Sequence, residues 1–571
     1  MNRTFIRRIA LAAALALPAA TVVIAASAGP ASAEPDSPHA VPNPLLKEVL
    51  GEEDEGLEDN PALNALCQDL ISQPNLYGNP APNVNQIVND TVVEVGSQTG
   101  CRAAQNETSI AVNPHNPRNI VAGANDYRFF NSREQRNDSS GVAYTSFDGG
   151  RTWRNITLPG LTFQTGGVGP FSYIDGAGDP VIAFGPRNTV YFGNIVFSRT
   201  PFDGGQQASG IVVNVSHDGG LHWSDPVAIQ MDGVTAAGTP VRTNLFNDKV
   251  WLGADPDSGR AYVSWTVFTN DDEGNYVESP IVVSSTSDFG RTWSAKTRVS
   301  PSLDGFSGGI TPFAQGSNPR VARDGTLHIA YETSVCDTAD CDGPDDRDAV
   351  VVATSTDRGR TFRHSIVDTD FDFPTDEDTG SAGLTGENFR INSFPQLGYD
   401  PVADRLWVTW ADDRNGRYTA DGESIRTNGD NIVSTSRDGR HWSEPVVVGT
   451  PQDEVFGAVT AFAGHVAIAS YTRHFDPAGI NLDFAYWQAG LFGFRGARTH
   501  RITTVSENPQ VQFVGTGLES GETLQGLFIG DYAAVAIGSD LRIHPCWTDF
   551  RGRPGTNTAN QDAYTQSIRI G

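Results

Sequence analysis

The octapeptide Ser146-Phe147-Asp148-Gly149-Gly150-Arg151-Thr152-Trp153 decides the fold of this chain, because it recurs. Self-similarity at a long period indicates one supersecondary unit that is repeated around or along an axis. Four further copies follow, the last of them one residue shorter: Ser216-His217-Asp218-Gly219-Gly220-Leu221-His222-Trp223, Thr286-Ser287-Asp288-Phe289-Gly290-Arg291-Thr292-Trp293, Ser355-Thr356-Asp357-Arg358-Gly359-Arg360-Thr361-Phe362 and Ser436-Arg437-Asp438-Gly439-Arg440-His441-Trp442.

The chemistry of the repeated octapeptide is typical of a tight turn between two strands. A small hydroxyl residue ends one strand, and the Asp side chain accepts hydrogen bonds from the N–H groups of the turn. Gly takes up a backbone conformation that other residues reach only at a cost. The aromatic residue then starts the next strand and packs back over the hairpin. A catalytic carboxylate is the alternative interpretation of Asp148, but five copies in register favour a structural one.

These copies match the Asp-box, Ser-x-Asp-x-Gly-x-Thr-Trp, also called the BNR repeat. The chain therefore resembles the sialidase-like β-propellers of exported proteins from about residue 90 to residue 571. The resemblance implies an all-β fold, a β-propeller of four-stranded blades in which each Asp-box joins the third strand to the fourth.

Counting the repeated units favours seven blades, with six blades and an extra sheet element as the alternative. The last unit shows three obvious strands, so it needs a fourth. Thr91-Val92-Val93-Glu94-Val95 is the predicted closing strand, which would pair the two chain ends and remove an exposed edge. The seven units are predicted to open near Asn106, Gly178, Phe246, Gln315, Asn392, Asp453 and Leu527.

The N-terminal residues predict export. Arg3, Arg7 and Arg8 precede an Ala-rich apolar run, and Ala31-Ser32-Ala33 forms a cleavage site, so residues 1–33 are a predicted signal peptide. Residues 34–88 are a predicted acidic, Pro-rich leader, and residues 89–571 are the predicted propeller. No later apolar run approaches the roughly 18 to 20 residues of a membrane span. The expected location is extracellular.

The charge balance narrows the class of partner. The formal net charge is −28, and such a field repels nucleic acid and anionic membranes. The expected partner is a glycan or glycoconjugate, bound by a monomer that does not insert into membranes. A site for an acidic sugar would need a local Arg cluster to oppose the overall field.

The five cysteines suit an exported protein with two disulfides and one buried thiol. Cys336 and Cys341 lie in one polar loop and can close a small ring. Cys67 and Cys101 both precede the first blade and can tie the N-terminal segment down, which leaves Cys546. No Cys/His spacing suggests zinc, so no metal site is assigned.

Propeller geometry sorts the candidate functional residues. The starts of the first strands and the ends of the second strands lie on one face, around the channel, and ligand sites of sialidase-like propellers lie there. Polar residues recur at these places, either as ion pairs and turn caps or as a sugar-binding constellation. The first-strand candidates are Glu107, Asp179, Asp248, Arg320, Arg390 and Asp531, and the second-strand candidates are Asp126, Arg128, Asp413, Arg414, Tyr471 and Arg551.

The resemblance to sialidases implies roles for these residues. Sialidases hold a substrate carboxylate with three Arg, use a Tyr nucleophile activated by a Glu, and use an Asp as general acid/base. The implied catalytic set is Glu107, Asp126, Asp248 and Tyr471. The implied substrate-binding set is Arg128, Asp179, Arg320, Arg390, Asp413, Arg414, Asp531 and Arg551. The chain departs from the family in lacking the Phe/Tyr-Arg-Ile-Pro motif before its first box. Phe389-Arg390-Ile391-Asn392 is similar, but it follows the fourth box and has no Pro.

Two functions follow as hypotheses. The first is an exported sialidase-like glycoside hydrolase acting on glycans, and the alternative is a non-catalytic propeller that binds glycan or protein. No cofactor is expected. Two acid-rich loops, 337–348 and 368–378, offer the oxygen ligands that Ca²⁺ prefers, although a solvated acidic loop is the favoured interpretation because no EF-hand spacing is present.

Overall fold

Alternating apolar positions and Gly/Asp turns produce a chain of short antiparallel strands in the computed structural model. The structure describes Val84–Asn85, Glu94–Val95, Gln98–Thr99 and residues 104–570, without residues 134–135, 340, 342, 344–345, 372, 376–381, 388, 421–423, 491–492, 510–527 and 552–560. The predicted signal peptide and the Cys67–Cys101 pairing lie outside these residues. Among the described residues, no helix is long and apolar enough to cross a membrane.

Three short strands precede the first blade, and blades 1 to 3 follow. The early strands are β1 (Val84–Asn85), β2 (Glu94–Val95) and β3 (Gln98–Thr99). Blade 1 has β4 (Gln105–Val112), β5 (Ile120–Asn131), β6 (Arg136–Ser140), β7 (Val142–Ser146) and β8 (Arg154–Thr157). Blade 2 has β9 (Gly176–Phe184), β10 (Val190–Phe197), β11 (Ser209–Ser216) and β12 (Val227–Asp232). Blade 3 has β13 (Leu245–Ala254), β14 (Ala261–Asn270), β15 (Tyr276–Glu278), β16 (Ile281–Thr286) and β17 (Thr297–Arg298).

Blades 4 to 7 repeat the same meander. Blade 4 has β18 (Gly309–Val321), β19 (Leu327–Cys336), β20 (Arg347–Ser355) and β21 (Arg363–Thr369); blade 5 has β22 (Gln396–Asp400), β23 (Arg405–Asp412), the small hairpin β24 (Arg417–Tyr418) and β25 (Ser424–Arg426), β26 (Asp430–Ser436) and β27 (Val446–Val448); blade 6 has β28 (Glu454–Phe462), β29 (His465–Thr472), β30 (Asp483–Ala489) and β31 (His500–Arg501); blade 7 has β32 (Ala534–Ile537), β33 (Arg542–Asp549), β34 (Asp562–Thr565) and β35 (Ile568–Arg569). Two 3₁₀ turns, Phe163–Thr165 and Gly169–Ser172, join blades 1 and 2.

The sheet order confirms the seven-bladed propeller. In blades 1 to 6 the four main strands pair in chain order, from the inner strand at the channel to the outer strand. Apolar side chains from neighbouring blades interdigitate, and the core is a ring of clusters between blades. Its largest fully buried side chains include Trp265, Trp410, Trp487 and Trp547.

The last blade is closed by the N-terminal part of the chain, but not by the predicted segment. β1 pairs with β34, with Val84 opposite Thr565. The prediction of Thr91–Val95 is wrong in its partner, because Glu94–Val95 pairs with Gln98–Thr99 instead. The two residues between those strands, Gly96-Ser97, form a sequence typical of a two-residue hairpin. Such local pairing closes at a lower entropy cost than pairing with the far end of the chain.

Closure by β1 predicts different behaviour for two truncations. Removal of residues 34–82 should leave the melting temperature nearly unchanged. Removal of residues 34–87 takes away β1, and we expect the bare edge of β34 to promote aggregation. Light scattering during a thermal ramp measures the difference. Equal scattering from both truncations would contradict closure by Val84–Asn85.

The repeated octapeptides form turns that their aspartates hold together. In the first turn, Asp148 Oδ1 accepts hydrogen bonds from the Ser146 hydroxyl at 2.9 Å and from the backbone N–H groups of Arg151 and Thr152 at 2.9 and 3.0 Å. Trp153 Nε1 donates to Gly150 O at 3.2 Å. The other four turns repeat the Asp contacts. These aspartates are therefore structural, and their face is called the turn face below.

The disulfide prediction for the polar loop is confirmed. Cys336 and Cys341 form a disulfide, and Cys546 is a buried cysteine outside it. Just after the ring that the disulfide closes, Asp346 accepts hydrogen bonds from the backbone N–H groups of Asp337 at 2.9 Å and Gly343 at 2.8 Å. A solvated acidic loop stays the prediction here, with Ca²⁺ binding as its less favoured alternative.

Candidate functional site in the central channel

In five of the seven blades, a bulge interrupts the inner strand and re-aims a side chain at the channel end of that strand. The register of the inner strand shifts there in blades 1, 2, 3, 4 and 6. Glu107, Asp179 and Lys249 occupy this place in blades 1 to 3 with φ of 53°, 50° and 48°. Non-glycine residues pay for this conformation with strain, which is commonly stored at functional sites. Bulges also re-aim side chains.

Charged residues from five places in the chain, three of them at bulges, meet in one buried group, here called the channel cluster. Glu107, Asp179, Asp248, Lys249 and Asp531 are each between 1% and 6% exposed. Arg390 joins them from the segment before blade 5. Five of the predicted site residues therefore converge: Glu107, Asp179, Asp248, Arg390 and Asp531. Lys249 belongs to the group but was missed.

Asp531 is the anchor of the cluster. Arg390 holds it with two hydrogen bonds, Nε to Oδ1 at 3.0 Å and Nη2 to Oδ2 at 2.8 Å. Lys249 Nζ contacts Asp531 Oδ2, and Asn392 Nδ2 donates to the Asp531 carbonyl at 2.9 Å. Burial raises the pKa of Asp531, but the charges of Arg390 and Lys249 outweigh burial and hold that pKa below its ordinary value. Asp531 is therefore ionised at neutral pH.

Glu107 and Asp179 form a carboxyl pair beside this anchor. Glu107 accepts hydrogen bonds from Asn125 Nδ2 at 2.7 Å and from the Asp531 N–H at 3.1 Å, and its side chain is hydrogen-bonded to that of Asp179. Burial first, and then the neighbouring Asp179 charge, raise the pKa of Glu107 well above its ordinary value. Burial raises the pKa of Asp179 to about 7. The pair therefore keeps at least one proton at neutral pH.

Two polar groups of the cluster have no partner among the described residues. They are Asp179 Oδ2 and the hydroxyl of Tyr532, a residue that is 6% exposed. The Tyr532 pKa is raised by burial and then by the Asp179 and Glu107 charges, so its hydroxyl lies near both carboxyls. Its ring packs against Trp251 with 5.1 Å between centroids. Buried polar groups normally have partners, so a water or a ligand group is expected between these two.

The arginines among the second-strand candidates form ion pairs with an Asp of their own blade instead of joining the cluster. The arrangement recurs as Asp-x-Arg in three blades. Arg128 binds Asp126, Arg414 binds Asp412, and Arg551 binds Asp549, in each case through both Nε and Nη2. In blades 5 and 7, the indole N–H of Trp410 or Trp547 donates to the same Asp. These guanidinium groups are held by carboxylates of the protein.

Three other predicted residues lie away from the cluster. Arg320 sits near the far end of the 13-residue inner strand β18, opposite His328 and toward the turn face. The Tyr471 hydroxyl is bound to the backbone of Thr548, at 2.8 Å to O and 2.9 Å to N, within the core between blades 6 and 7. Asp413 accepts hydrogen bonds from Tyr418 and Asn428 beside the small hairpin of blade 5.

The arginine set implied by the resemblance is consequently not assembled among the described residues. Arg128, Arg414 and Arg551 are ion-paired, Arg390 is bound to Asp531, and Arg320 lies at the opposite end of its blade. The one signal that would have found Lys249 is its position: it follows Asp248 at the place that Glu107 and Asp179 occupy in their own blades.

No family model and no curated protein matches the sequence. Among solved structures, the chain is similar to a Dyadobacter fermentans protein of unknown function, at 12% identity and a TM-score of 0.38, covering 72% of this chain and 95% of that one. It is similar to Trypanosoma rangeli sialidase, at 12% identity and a TM-score of 0.38, covering 73% and 56% of the two chains. A third is the Penicillium chrysogenum α-L-arabinanase complexed with arabinobiose, at 12% identity and a TM-score of 0.32, covering 57% and 92%. The chain thus spans about half the length of the sialidase.

Proposed function

We propose that the channel cluster is the active site of a glycoside hydrolase. The observation that carries this proposal is the state of Asp179, a channel carboxyl with a pKa of about 7 and one oxygen without a partner among the described residues. A general acid works best when its pKa lies near the operating pH. Sites that separate the pKa values of neighbouring carboxyls, as with Asp179 and Asp531 here, are typical of acid/base chemistry.

The proposed reaction assigns one role to each group. Asp179 donates its proton to the leaving oxygen as the glycosidic C–O bond breaks, and water supplies the new C–O bond. Asp248 accepts the proton of that water, because its carboxylate lies close enough to influence the Asp179 charge and has no hydrogen-bond partner among the described residues. Glu107 is a positioning residue through its hydrogen bond to Asp179. The Tyr532 hydroxyl binds the sugar.

A sialoside is the less favoured substrate in this proposal. Recognition of a sugar carboxylate needs guanidinium groups that are free to make two-pronged contacts. Arg128, Arg414 and Arg551 already make such contacts with Asp126, Asp412 and Asp549. We therefore propose a glycan without a carboxylate at the cleaved residue.

The alternative is a propeller that binds a glycan without cleaving it. The observation that favours it is the low exposure of the channel cluster, 1% to 6% for its carboxyls and Lys249. Buried ion pairs of this kind also occur where they only join elements of a fold.

We expect Asp179→Asn to lower kcat by about 10²- to 10⁴-fold, the usual contribution of a general acid. A panel of 4-nitrophenyl glycosides, a sialoside among them, measures turnover. Activity of the unaltered protein should fall as pH rises above about 7, because Asp179 then loses its proton. Asp413→Asn is the matched control, because the Asp413 pKa is also about 7 but its side chain lies outside the channel.

Two outcomes would overturn the hydrolase. One is unchanged turnover in Asp179→Asn. The other is a protein that binds glycans on an array but cleaves none of the panel, which would establish the alternative.

A further inference from the structure

A groove on the turn face, between blades 3 and 4, has the chemistry of a second site. It encloses about 540 Å³. Its walls are the third turn, with Thr286 and Trp293, and the fourth turn, with Arg358 and Arg360. The groove is at the opposite end of the blades from the channel cluster, because the bulges lie at the starts of the inner strands and the turns at the far ends.

Three arginines line this groove without an acidic partner among the described residues. They are Arg260, Arg358 and Arg360. In the part of the chain that the structure describes, no Asp or Glu carboxylate lies within ion-pair distance of these three side chains. Arg358 and Arg360 are exposed, and Arg260 is half-buried. In a chain with a formal net charge of −28, three guanidinium groups at one groove oppose the overall field. They offer an anion local charges of the opposite sign.

A buried hydroxyl faces the same place. Tyr262 lines the groove and is 0% exposed, and its hydroxyl has no hydrogen-bond partner among the described residues. Burial raises the pKa of Tyr262, the Arg260 and Arg358 charges lower it and the Asp255 charge raises it, so two guanidinium groups and one carboxylate lie near the ring. A buried hydroxyl without a partner is costly. A ligand oxygen in the groove would supply the missing partner.

The neighbouring pair of blades provides a comparison within the molecule. Tyr191 is the second residue of β10, as Tyr262 is of β14, and its hydroxyl also lacks a partner among the described residues. The charges near Tyr191 are the carboxylates of Asp288 and Asp255, whereas Tyr262 has Arg260 and Arg358 beside Asp255. The fold therefore creates the position, and the sequence makes it cationic between blades 3 and 4.

We propose that this groove binds a saccharide that carries carboxylate or sulfate groups. Arginine matches such groups in a planar, two-pronged contact. Trp293 adds an aromatic surface for a sugar ring, and its indole N–H is fixed by Gly290 O at 3.2 Å. The site is independent of the channel chemistry, so Asp179→Asn should bind the same ligands with unchanged affinity.

Calorimetric titration with matched probes tests the proposal. Sucrose octasulfate and trigalacturonate present the two anionic groups, sucrose and maltotriose are their neutral counterparts, and hexaglutamate is a peptide of comparable charge. We expect binding of at least one acidic saccharide and none of the neutral sugars. Arg260→Gln and Arg358→Gly should each weaken that binding about tenfold or more, as expected for the loss of a charged hydrogen bond.

The variants are chosen so that folding does not obscure the result. Arg358 has φ of 70°, so glycine relieves strain there, and the first two turns already have Gly149 and Gly219 at this place. Tyr262→Phe should weaken binding several-fold while the melting temperature holds or rises. Arg151→Gln, which removes a charge from the first turn, is the matched control and should change the affinity less than twofold, since surface charges far apart are screened.

Three results would overturn the proposal. One is an equal loss of affinity in Arg151→Gln, which would indicate non-specific attraction. Another is no binding of either acidic saccharide. The third is tight binding of hexaglutamate with the same dependence on Arg260 and Arg358, which would make the groove a peptide site.

Discussion

Replacement of Asp531 by Asn is expected to destabilise the protein by about 3 kcal/mol or more, the usual cost of breaking a buried ion pair. The change leaves Lys249, which is 6% exposed, and Arg390 without the carboxylate that both contact. Two positive charges would then share a buried place with carboxyls of raised pKa. Urea unfolding at pH 7 measures the loss.

The same substitution at Asp179 is the control. Because Asp179 has a pKa of about 7, its neutral form is well populated, and an amide resembles that form. Asp179→Asn should therefore hold or raise the stability at pH 7, because the amide removes the free energy that the unfolded chain gains when this carboxyl ionises. The double variant Asp531→Asn/Lys249→Met should recover part of the loss, because one uncompensated charge is gone. Similar losses in the two single variants would contradict this account of the channel cluster.

The second large effect is a stability maximum at mildly acidic pH. Burial raises the pKa of Asp179 and Asp413 to about 7, of Asp430 to about 6 and of Glu454 to about 8. The unfolded values are about 4, so the folded state binds these protons more tightly. Their contribution is complete below pH about 4 and is lost as pH rises toward 8.

The turn aspartates act in the opposite direction. Hydrogen bonds from the turn lower the pKa of Asp288 to about 2. Burial raises the pKa of Asp218, but hydrogen bonds from its turn outweigh burial and lower that pKa to about 2 as well. Their stabilisation is present above pH about 4 and is lost as pH falls toward 2. The melting temperature should therefore peak near pH 4 to 5 and fall by at least about 5 °C by pH 8.

Scanning fluorimetry at constant ionic strength measures this profile. Asp179→Asn should flatten part of the decline between pH 4 and 7, because one titrating group is removed. A melting temperature that is level from pH 5 to pH 8 would mean that the buried carboxyls ionise without cost, and it would contradict the predicted optimum.

Most of the fold could be predicted from the repeated octapeptide alone. Five turns in register predict blades, and the blade count predicts that the chain ends must meet. The repeat does not choose the closing strand, because the alternation at Thr91–Val95 marks a strand without naming its partner. Gln98–Thr99 is only a few residues away, so pairing with it closes a much shorter loop than pairing with the last blade would.

The site was predictable in part for the same reason. Glu107, Asp179 and Asp531 occupy matching places in their units, so a propeller brings them together. Lys249 was missed because it is next to the predicted residue Asp248, and neighbouring side chains point to opposite faces of a regular strand. The bulge interrupts this alternation, so both side chains reach the cluster. Arg128 and Arg414 were placed in the wrong role, although residues two apart on a strand share a face and the Asp-x-Arg spacing itself indicates an ion pair.

The pairing of β1 with β34 also sets a minimum time for completing the fold during synthesis. The two strands are separated by about 480 residues, and ribosomes add roughly 5 to 20 residues per second. β1 must therefore wait on the order of half a minute to a minute and a half for its partner. Throughout that interval, six blades can form while the seventh lacks its outer edge. The seventh blade can be completed only after β34 has been made, and until then the edge of β1 is open to pairing with other strands.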